Sequence, residues 1–262
     1  MLGVRVVLAS WLSKISIILR RSHSFPPVNR AMGCCQASPI PTAANPEPHE
    51  VKAEESHYCA NEYSLQYYNS PAAKIAETIR AHSPPEGKIN VRDFNALAQE
   101  LRLNVREMDT LDSTVYSFYR YFRDGRNFDR DKLVILGAVL GAGSAKEKLK
   151  VAWSTLPGAQ EDHVAASALH WLLDILFSLA GEYLPVLTRN DPYADNQELN
   201  LAIQSFQRSK PKAISLCLTR FVQSRAYLSL SEAESALDSD PYIGRLWRSD
   251  GLRSILAECK EG

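Results

Sequence analysis

The loop from His82 to Asp93 has the residue spacing of a calcium-binding loop. It reads H-S-P-P-E-G-K-I-N-V-R-D, so Gly87 stands at the sixth position, where a sharp turn needs a residue without a Cβ atom. Asp93 supplies the acid of the twelfth position, but the first, third and fifth positions hold His82, Pro84 and Glu86 instead of regular oxygen ligands. The sequence therefore predicts the shape of a calcium site with few of its ligands, Glu86 and Asp93 being the residual metal candidates.

A second set of residues with chemical potential follows Met32. A chain that begins at Met32 exposes Gly33 for myristoylation and places Cys34 and Cys35 beside it for palmitoylation. One acyl chain holds a protein on a membrane only marginally, so paired signals predict a cytoplasmic, membrane-associated protein. The alternative is an internal methionine followed by two ordinary cysteines.

The residues before Met32 allow a different location. Residues 1–46 contain no Asp or Glu, and residues 1–31 are basic and amphipathic. Such a leader is typical of a mitochondrial transit peptide, or of a signal peptide without a clear cleavage site. If synthesis begins at Met1, Gly33 is internal and cannot be acylated. We expect residues 1–71 to form this leader and a flexible tether, with a short ordered piece near Tyr63 to Tyr68.

Helical periodicity surrounds the His82–Asp93 loop and predicts the first of four helix–loop–helix units. The second unit enters through an apolar stripe that includes Phe118 and Phe122, and its loop is centred on Phe128. Its twelfth loop position is Lys132, a cation that opposes calcium binding.

The third and fourth units are predicted further along the chain. The third loop runs from Pro157 to His163, with Val164 at its central position, and its ligand positions are again mostly empty. The fourth is predicted to turn over Gln207–Ala213, with Ile214 at its centre. Lys210 and Lys212 make that turn repel a divalent cation.

The four units are expected to couple in two pairs through antiparallel contacts at the central loop residues. These contacts are Ile89 with Phe128, and Val164 with Ile214. The predicted fold is all-α, with paired units in two lobes. Its expected segments are 1–71 (leader and tether), 72–142 (first pair), 143–228 (second pair) and 229–262 (a C-terminal helical segment).

The C-terminal segment has clear helix signals. Ser229 or Ser231 can cap a helix that begins near Glu232, and the Asp240-Pro241 pair should end it. A last amphipathic face follows, rich in Leu, Ile and Trp. We expect this segment to dock on the rest of the chain as an internal ligand.

Residues 72–222 resemble the calcium-sensor branch of the EF-hand superfamily, the neuronal calcium sensor and calcineurin B-like proteins. The resemblance is carried by Gly87, Ile89, Asp93 and Phe94 and by the repeated units. A weaker likeness is to the EF-hand-like module that precedes TLD domains. Members of the calcium-sensor branch are often N-myristoylated, which is similar to Gly33 here.

The resemblance implies a non-catalytic adaptor or regulatory subunit that holds a partner's amphipathic helix in an apolar groove. The expected groove residues are large and apolar: Phe118, Phe122, Leu169, Leu172, Leu173, Leu176 and Phe177. The alternative for residues 169–179 is a central core helix, and Asp174 and Glu182 argue against a membrane span. Because the loop ligands are missing, we expect partner binding without calcium or another cofactor; the alternative is a true calcium sensor with one weak site.

Composition excludes several other classes. The formal net charge is +0 with a pI near 7.0, so the chain has no overall field that would attract nucleic acid. Five cysteines without C-x-x-C spacing suggest neither a disulfide framework nor a zinc site. The sequence has no G-x-S-x-G, P-loop, H-E-x-x-H or G-x-G-x-x-G motif, and no enzyme is predicted.

Overall fold

The computed structural model describes residues 53–192, 194–223 and 225–260, and most of them are helical, which confirms the all-α prediction. The α-helices are α1 (Ala53–Ser64), α2 (Ala72–Ala81), α3 (Val91–Glu100), α4 (Thr114–Arg120), α5 (Arg130–Leu140), α6 (Ala145–Trp153), α7 (Ala166–Ser178), α8 (Asn196–Val222), α9 (Leu230–Ser239), α10 (Pro241–Gly244) and α11 (Ser249–Glu258). Short 3₁₀ turns lie at Tyr67–Asn69, Ala159–Glu161, Leu184–Asn190 and Arg245–Trp247.

Very short strands lie between some of the helices. They are β1 (Lys88–Ile89), β2 (Arg123–Asp124), β3 (Asn127–Asp129), β4 (Val164–Ala165) and β5 (Tyr227–Leu228). Strands β1, β3 and β2 form one antiparallel sheet in that order, in which Ile89 is paired with Phe128 as predicted. Strands β4 and β5 form a second antiparallel pair.

Helices α2 and α5 make the closest helix contact of the first half. Gly137 lies inside α5 against Ile75 of α2, and a Cβ atom on Gly137 would come within 2.5 Å of Ile75 Cγ2. The two helix backbones approach each other because this position has no side chain. Helix α5 continues past Gly137 to Leu140, and Gly141 is its C-cap residue.

The centre of the fold is a continuous apolar segment from Ala166 to Asn190. Helix α7 passes at Leu179–Tyr183 into a π turn and then into the 3₁₀ turn that contains Pro185. Nearly all its large apolar side chains are buried, including those of Leu172 and Leu176. Three helices contact α7 itself, namely α5, α8 and α11. Two others, α1 and α4, contact the 3₁₀ turn at its end.

The predicted fourth unit is placed differently in the structure. Residues 207–213 do not form a turn, because α8 runs unbroken from Asn196 to Val222 with Pro211 inside it. A buried stripe that includes Phe206, Ala213 and Cys217 continues through this region and packs on α7, so tertiary contacts support the helix across the proline. The central pairing residue is therefore Leu228 of β5, which pairs with Val164 in place of Ile214.

An ordered helix occupies part of the predicted tether. Helix α1 begins at Ala53, and Tyr58, Glu62 and the following Leu65 and Tyr67 are buried. Helix α1 is polar overall, so apolar burial alone does not fix its position. Its contacts with Asp191 and Arg253, far along the chain, do so. The short ordered piece expected near Tyr63 to Tyr68 is part of this longer ordered region.

The C-terminal segment follows the predicted helix signals. Ser229 caps α9, since its Oγ accepts a hydrogen bond from the Glu232 N–H while the Glu232 carboxylate accepts one from the Ser229 N–H. Asp240 ends α9 and caps α10, which begins at Pro241. Helix α11 follows, with Leu252, Ile255 and Leu256 fully buried.

Lys148 joins the C-terminal segment to the first half of the fold. Its Nζ donates to the backbone carbonyls of Val139, at 2.9 Å, and of Trp247, at 3.2 Å. Burial lowers the pKa of Lys148 to about 8, and the nearby positive charge of Arg248 acts in the same direction, while Asp250 opposes it. Among the described residues, the Lys148 ammonium is therefore a buried charge that is held by backbone carbonyls and not by a carboxylate.

We expect Lys148→Met to change the pH dependence of stability. The folded pKa of Lys148 lies below its ordinary value of 10.5, so between pH 8 and 10.5 the unfolded chain binds more protons and the free energy of unfolding should rise with pH. Below pH 8 the cost of burying the charge is fully present. Denaturant unfolding of both proteins from pH 7 upward should show a wild-type gain of roughly 1–3 kcal/mol relative to the variant. Parallel curves would contradict a buried ammonium.

Candidate partner-binding surface

The first loop has the turn of a calcium site, while the acid at its twelfth position is used within the chain. Gly87 has φ +74°, a left-handed conformation that favours glycine. The Asp93 N–H donates to Asn90 Oδ1 at 3.0 Å, and Asn90 Nδ2 donates to Asp93 Oδ2 at 2.7 Å. The bond to Asn90 Oδ1 caps α3, and the second bond holds the Asp93 carboxylate against the Asn90 side chain.

An open depression lies beside this loop. Its walls include His82, Ser83, Pro84, Asn90 and Asp93. Glu86 is exposed and does not line it. Within residues 53–192, 194–223 and 225–260, no group of three or more His, Cys, Asp or Glu side chains is placed to hold a metal ion.

The second loop also uses its acids for contacts with the protein itself. Asp129 caps α5 by accepting hydrogen bonds from the N–H groups of Asp131 and Lys132, at 3.0 and 3.1 Å. Asp131 accepts from Arg130 Nε at 2.8 Å, and Asp124 pairs with Lys88. The carboxylates of this loop therefore form ion pairs with neighbouring cations and accept hydrogen bonds from helix N–H groups.

In the second pair of loops, hydrogen bonds and an ion pair join one loop to the other. Asp162 adopts a left-handed conformation with φ 55°, and its Oδ1 accepts a hydrogen bond from the Leu230 N–H at 2.8 Å. Arg225 pairs with Glu232. With Leu228 at the central, eighth position of the loop, Glu232 stands at the twelfth position, where a calcium loop has its acidic ligand. Hydrogen bonds from Ser229 lower the pKa of Glu232, and the Arg225 charge adds to that effect. A guanidinium thus lies against the carboxylate that a calcium loop would offer to the ion.

The residues predicted to line a groove are all buried. The set is Phe118, Phe122, Leu169, Leu172, Leu173, Leu176 and Phe177. Trp171, from the same apolar run, is 37% exposed. The chain itself therefore covers the apolar surface that these residues form, as expected for the core-helix alternative.

Helix α11 is one of the elements that cover this surface. It packs on α7, on the π turn and on α8. Leu256 reaches the π turn at Gly181, where an added Cβ atom would lie 2.9 Å from Leu256 Cδ1. Lys260, just after α11, lies over the Phe206 ring at 4.6 Å. The last helix of the described chain thus covers α7, the π turn and α8.

Aromatic contacts cover the other end of the segment. Tyr121 stacks on Tyr183 with ring centroids 4.1 Å apart and an interplanar angle of 13°. The Phe122 ring meets Tyr183 edge-on at 6.1 Å. Phe122 therefore contacts the π turn through Tyr183, and α4 contacts the 3₁₀ turn Leu184–Asn190.

A buried ionic cluster joins α1 to α11. Arg253 is 2% exposed in its side chain, and its Nε lies 3.0 Å from each carboxylate oxygen of Glu55. Its Nη1 donates to Glu62 Oε1 at 2.6 Å, and its guanidinium carbon lies 4.9 Å from the centre of the Tyr58 ring. Burial raises the pKa of the Glu62 carboxyl, while Arg253 and a hydrogen bond from Ser249 oppose the shift. We call Glu55, Tyr58 and Glu62 the α1 cage.

Sequence reasoning missed the α1 cage. Its three residues are separated by three and four positions, which places them on one helix face, and this E-x-x-Y-x-x-x-E spacing was the available signal. The partner, Arg253, lies about 190 residues later, and nothing local connects it to α1. His57 on the same helix lies 3.1 Å from Asp191, another distant partner.

The predicted lipidation residues Gly33, Cys34 and Cys35 lie outside the described residues. Among the described helices, the segment Ala166–Arg189 has the length and composition of a membrane span, but most of it is buried inside the fold. A buried core helix meets the same criteria, and this segment is the core described above.

Comparisons with protein-family models, with curated proteins and with solved structures found no match to this chain.

Proposed function

We propose that this protein is a non-catalytic, EF-hand-like adaptor or regulatory subunit that binds a partner's amphipathic helix. The observation that carries the proposal is the position of α11, an amphipathic helix whose Leu252, Ile255 and Leu256 lie on the apolar surface of α7 and α8. A surface that holds one such helix has the shape and polarity to hold another. The partner is a protein, and nucleic acid is not expected.

Paired helix–strand–helix units support the EF-hand-like part of the proposal. Units α2-β1-α3 and α4-β3-α5 meet at Ile89 and Phe128, and units α6-β4-α7 and α8-β5-α9 meet at Val164 and Leu228. In both pairs the strands are antiparallel and lie at the loop centres. Two such pairs correspond to the proposed two lobes.

Partner binding is proposed to be independent of calcium. The Asp93 carboxylate accepts a hydrogen bond from the Asn90 side-chain amide, and Asp129 and Asp162 accept from backbone N–H groups. Glu232 pairs with Arg225. A calcium ion would have to displace these contacts. It would also meet the positive charge of Lys132 in the second loop and of Arg225 in the fourth. Hydrogen bonds to helix N–H groups stabilise the loops in the absence of metal.

Membrane attachment through Gly33, Cys34 and Cys35 is part of the same proposal. It requires translation to start at Met32, and it would hold the adaptor at the cytoplasmic face of a membrane. The alternative, a mitochondrial location, follows if the 1–31 leader acts as a transit peptide.

Calorimetric titration of the purified chain with Ca²⁺ should show no saturable heat in the micromolar range, because the loop acids are occupied by donors of the protein. Heat that saturates in this range would favour the alternative, a true sensor with a residual site. In that case Glu86→Gln should abolish the signal if the site lies in the first loop. Glu86 is exposed, so this substitution leaves the fold unchanged and serves as the matched variant.

Release of α11 should create a helix-binding surface. In the full-length chain, Leu252→Asp with Ile255→Asp places two charges in the buried contact, whereas Ala257→Asp changes the exposed face of the same helix. We expect the double variant, and not the Ala257→Asp control, to bind an apolar dye and a labelled peptide of residues 241–260. Far-UV circular dichroism should show that both variants keep their helices. A folded double variant that binds no peptide would contradict the adaptor proposal.

The mass of the native N-terminal peptide tests the membrane proposal. We expect a peptide that begins at Gly33 and carries a myristoyl group, with thioester-linked acyl groups on Cys34 or Cys35 that hydroxylamine removes. A peptide that begins at Met1, or an unmodified Gly33, would contradict acylation. A Gly33→Ala chain is the matched control, since it should lose the acyl mass and move to the soluble fraction.

A further inference from the structure

The α1 cage surrounds a guanidinium group on its edges and on one face. The Nε of Arg253 lies 3.0 Å from both Glu55 oxygens, and its second terminal nitrogen also donates to Glu55. Glu62 accepts from the remaining terminal nitrogen at 2.6 Å. The Tyr58 ring lies 4.9 Å from the guanidinium carbon. All three groups of the cage come from one face of α1.

This arrangement suits arginine better than any other side chain. A guanidinium is planar and presents its N–H groups in a fixed fork, which matches two carboxylates at its edges and an aromatic ring at its face. A lysine ammonium is a compact charge that cannot pair with Glu55 through two nitrogens. The cage therefore selects the shape of the cation as well as its charge.

The cage needs a cation to be stable in its buried form. Glu62 is 8% exposed in its side chain, and Glu55 is 22% exposed. Ser249 Oγ donates to Glu62 Oε2, so both oxygens of the more buried carboxylate have partners. An empty cage would leave two carboxylates close together in a poorly hydrated position, which is costly.

The occupant belongs to the helix that fills the proposed partner surface. Arg253 directly follows Leu252 and precedes Ile255 and Leu256, so the apolar anchors and the arginine are presented on α11 together. A helix that replaced α11 without an arginine at this place would empty the cage. The cage thus adds a charge requirement to the apolar requirement of the surface.

We propose that Glu55, Tyr58 and Glu62 form an arginine-recognition site, filled by Arg253 in the free chain and by the arginine of a partner helix in the complex. The inference rests on the proposed adaptor function and names its partner class. That class is an amphipathic helix with apolar residues three and four positions apart and an arginine immediately after the first of them, the pattern of L-R-S-I-L in α11.

Chemical rescue tests the cage in the full-length chain. Arg253→Ala should lower the Tm, and millimolar methylguanidinium chloride should restore part of the loss, while methylammonium chloride at the same concentration should not. Arg245→Ala is the matched control, because Arg245 lies just before α11 and pairs on the surface with Glu258. Its Tm should not respond to either salt. Equal effects of both salts on Arg253→Ala would overturn the recognition site.

Exchange is tested with the full-length Leu252→Asp, Ile255→Asp chain and two labelled peptides of residues 248–260. One peptide has arginine at position 253, and the other has citrulline, which keeps the shape but lacks the charge. Fluorescence anisotropy should show that the arginine peptide binds about tenfold tighter or more. Equal binding would overturn the arginine site and leave the adaptor function intact. Binding of neither peptide would overturn both proposals.

Discussion

The fold depends on the need to cover one apolar segment on nearly all sides. Residues 166–190 present large apolar side chains in most directions, and such a segment is stable only when other elements exclude water from it. The helices on either side of it in the sequence provide that cover, and α11 completes it from the C-terminal end. The surface expected to receive a partner is therefore also the surface that the chain must protect when it is alone, which is why the predicted groove residues are buried.

Local signals predicted the elements that local chemistry determines. Gly87 indicated a left-handed turn, and the apolar residues at the centres of the first two loops indicated the pairing of Ile89 with Phe128. Ser229 or Ser231 was expected to cap a helix that begins near Glu232, and Ser229 does so in a capping box. For the turn at Gly87 and the cap at Ser229, the physical cause lies within a few residues of its effect.

Long-range contacts determined what the sequence did not reveal. A turn was predicted over Gln207–Ala213, but Lys210 forms ion pairs with Asp174 and Glu182, and the buried stripe of α8 continues past Pro211. The fourth unit consequently lies further along the chain than expected. Likewise, α1 has a polar composition that is typical of a tether, and it is ordered because Arg253 and Asp191 lie against it. Periodicity and propensity carry no information about partners so far away.

The cluster around Arg253 also determines how the fold responds to a pulling force. Helix α1 is the first described helix of the chain, and its most buried polar contacts are made with the last one. Tension applied to the backbone ahead of Ala53 would reach the fold through α1 and would load the pairs with Arg253 before it loaded the central helices. The hydrogen bonds between Arg253 and the two carboxylates weaken steeply once their geometry is distorted. Such a force would therefore loosen the contact between α1 and α11 before the paired helical units.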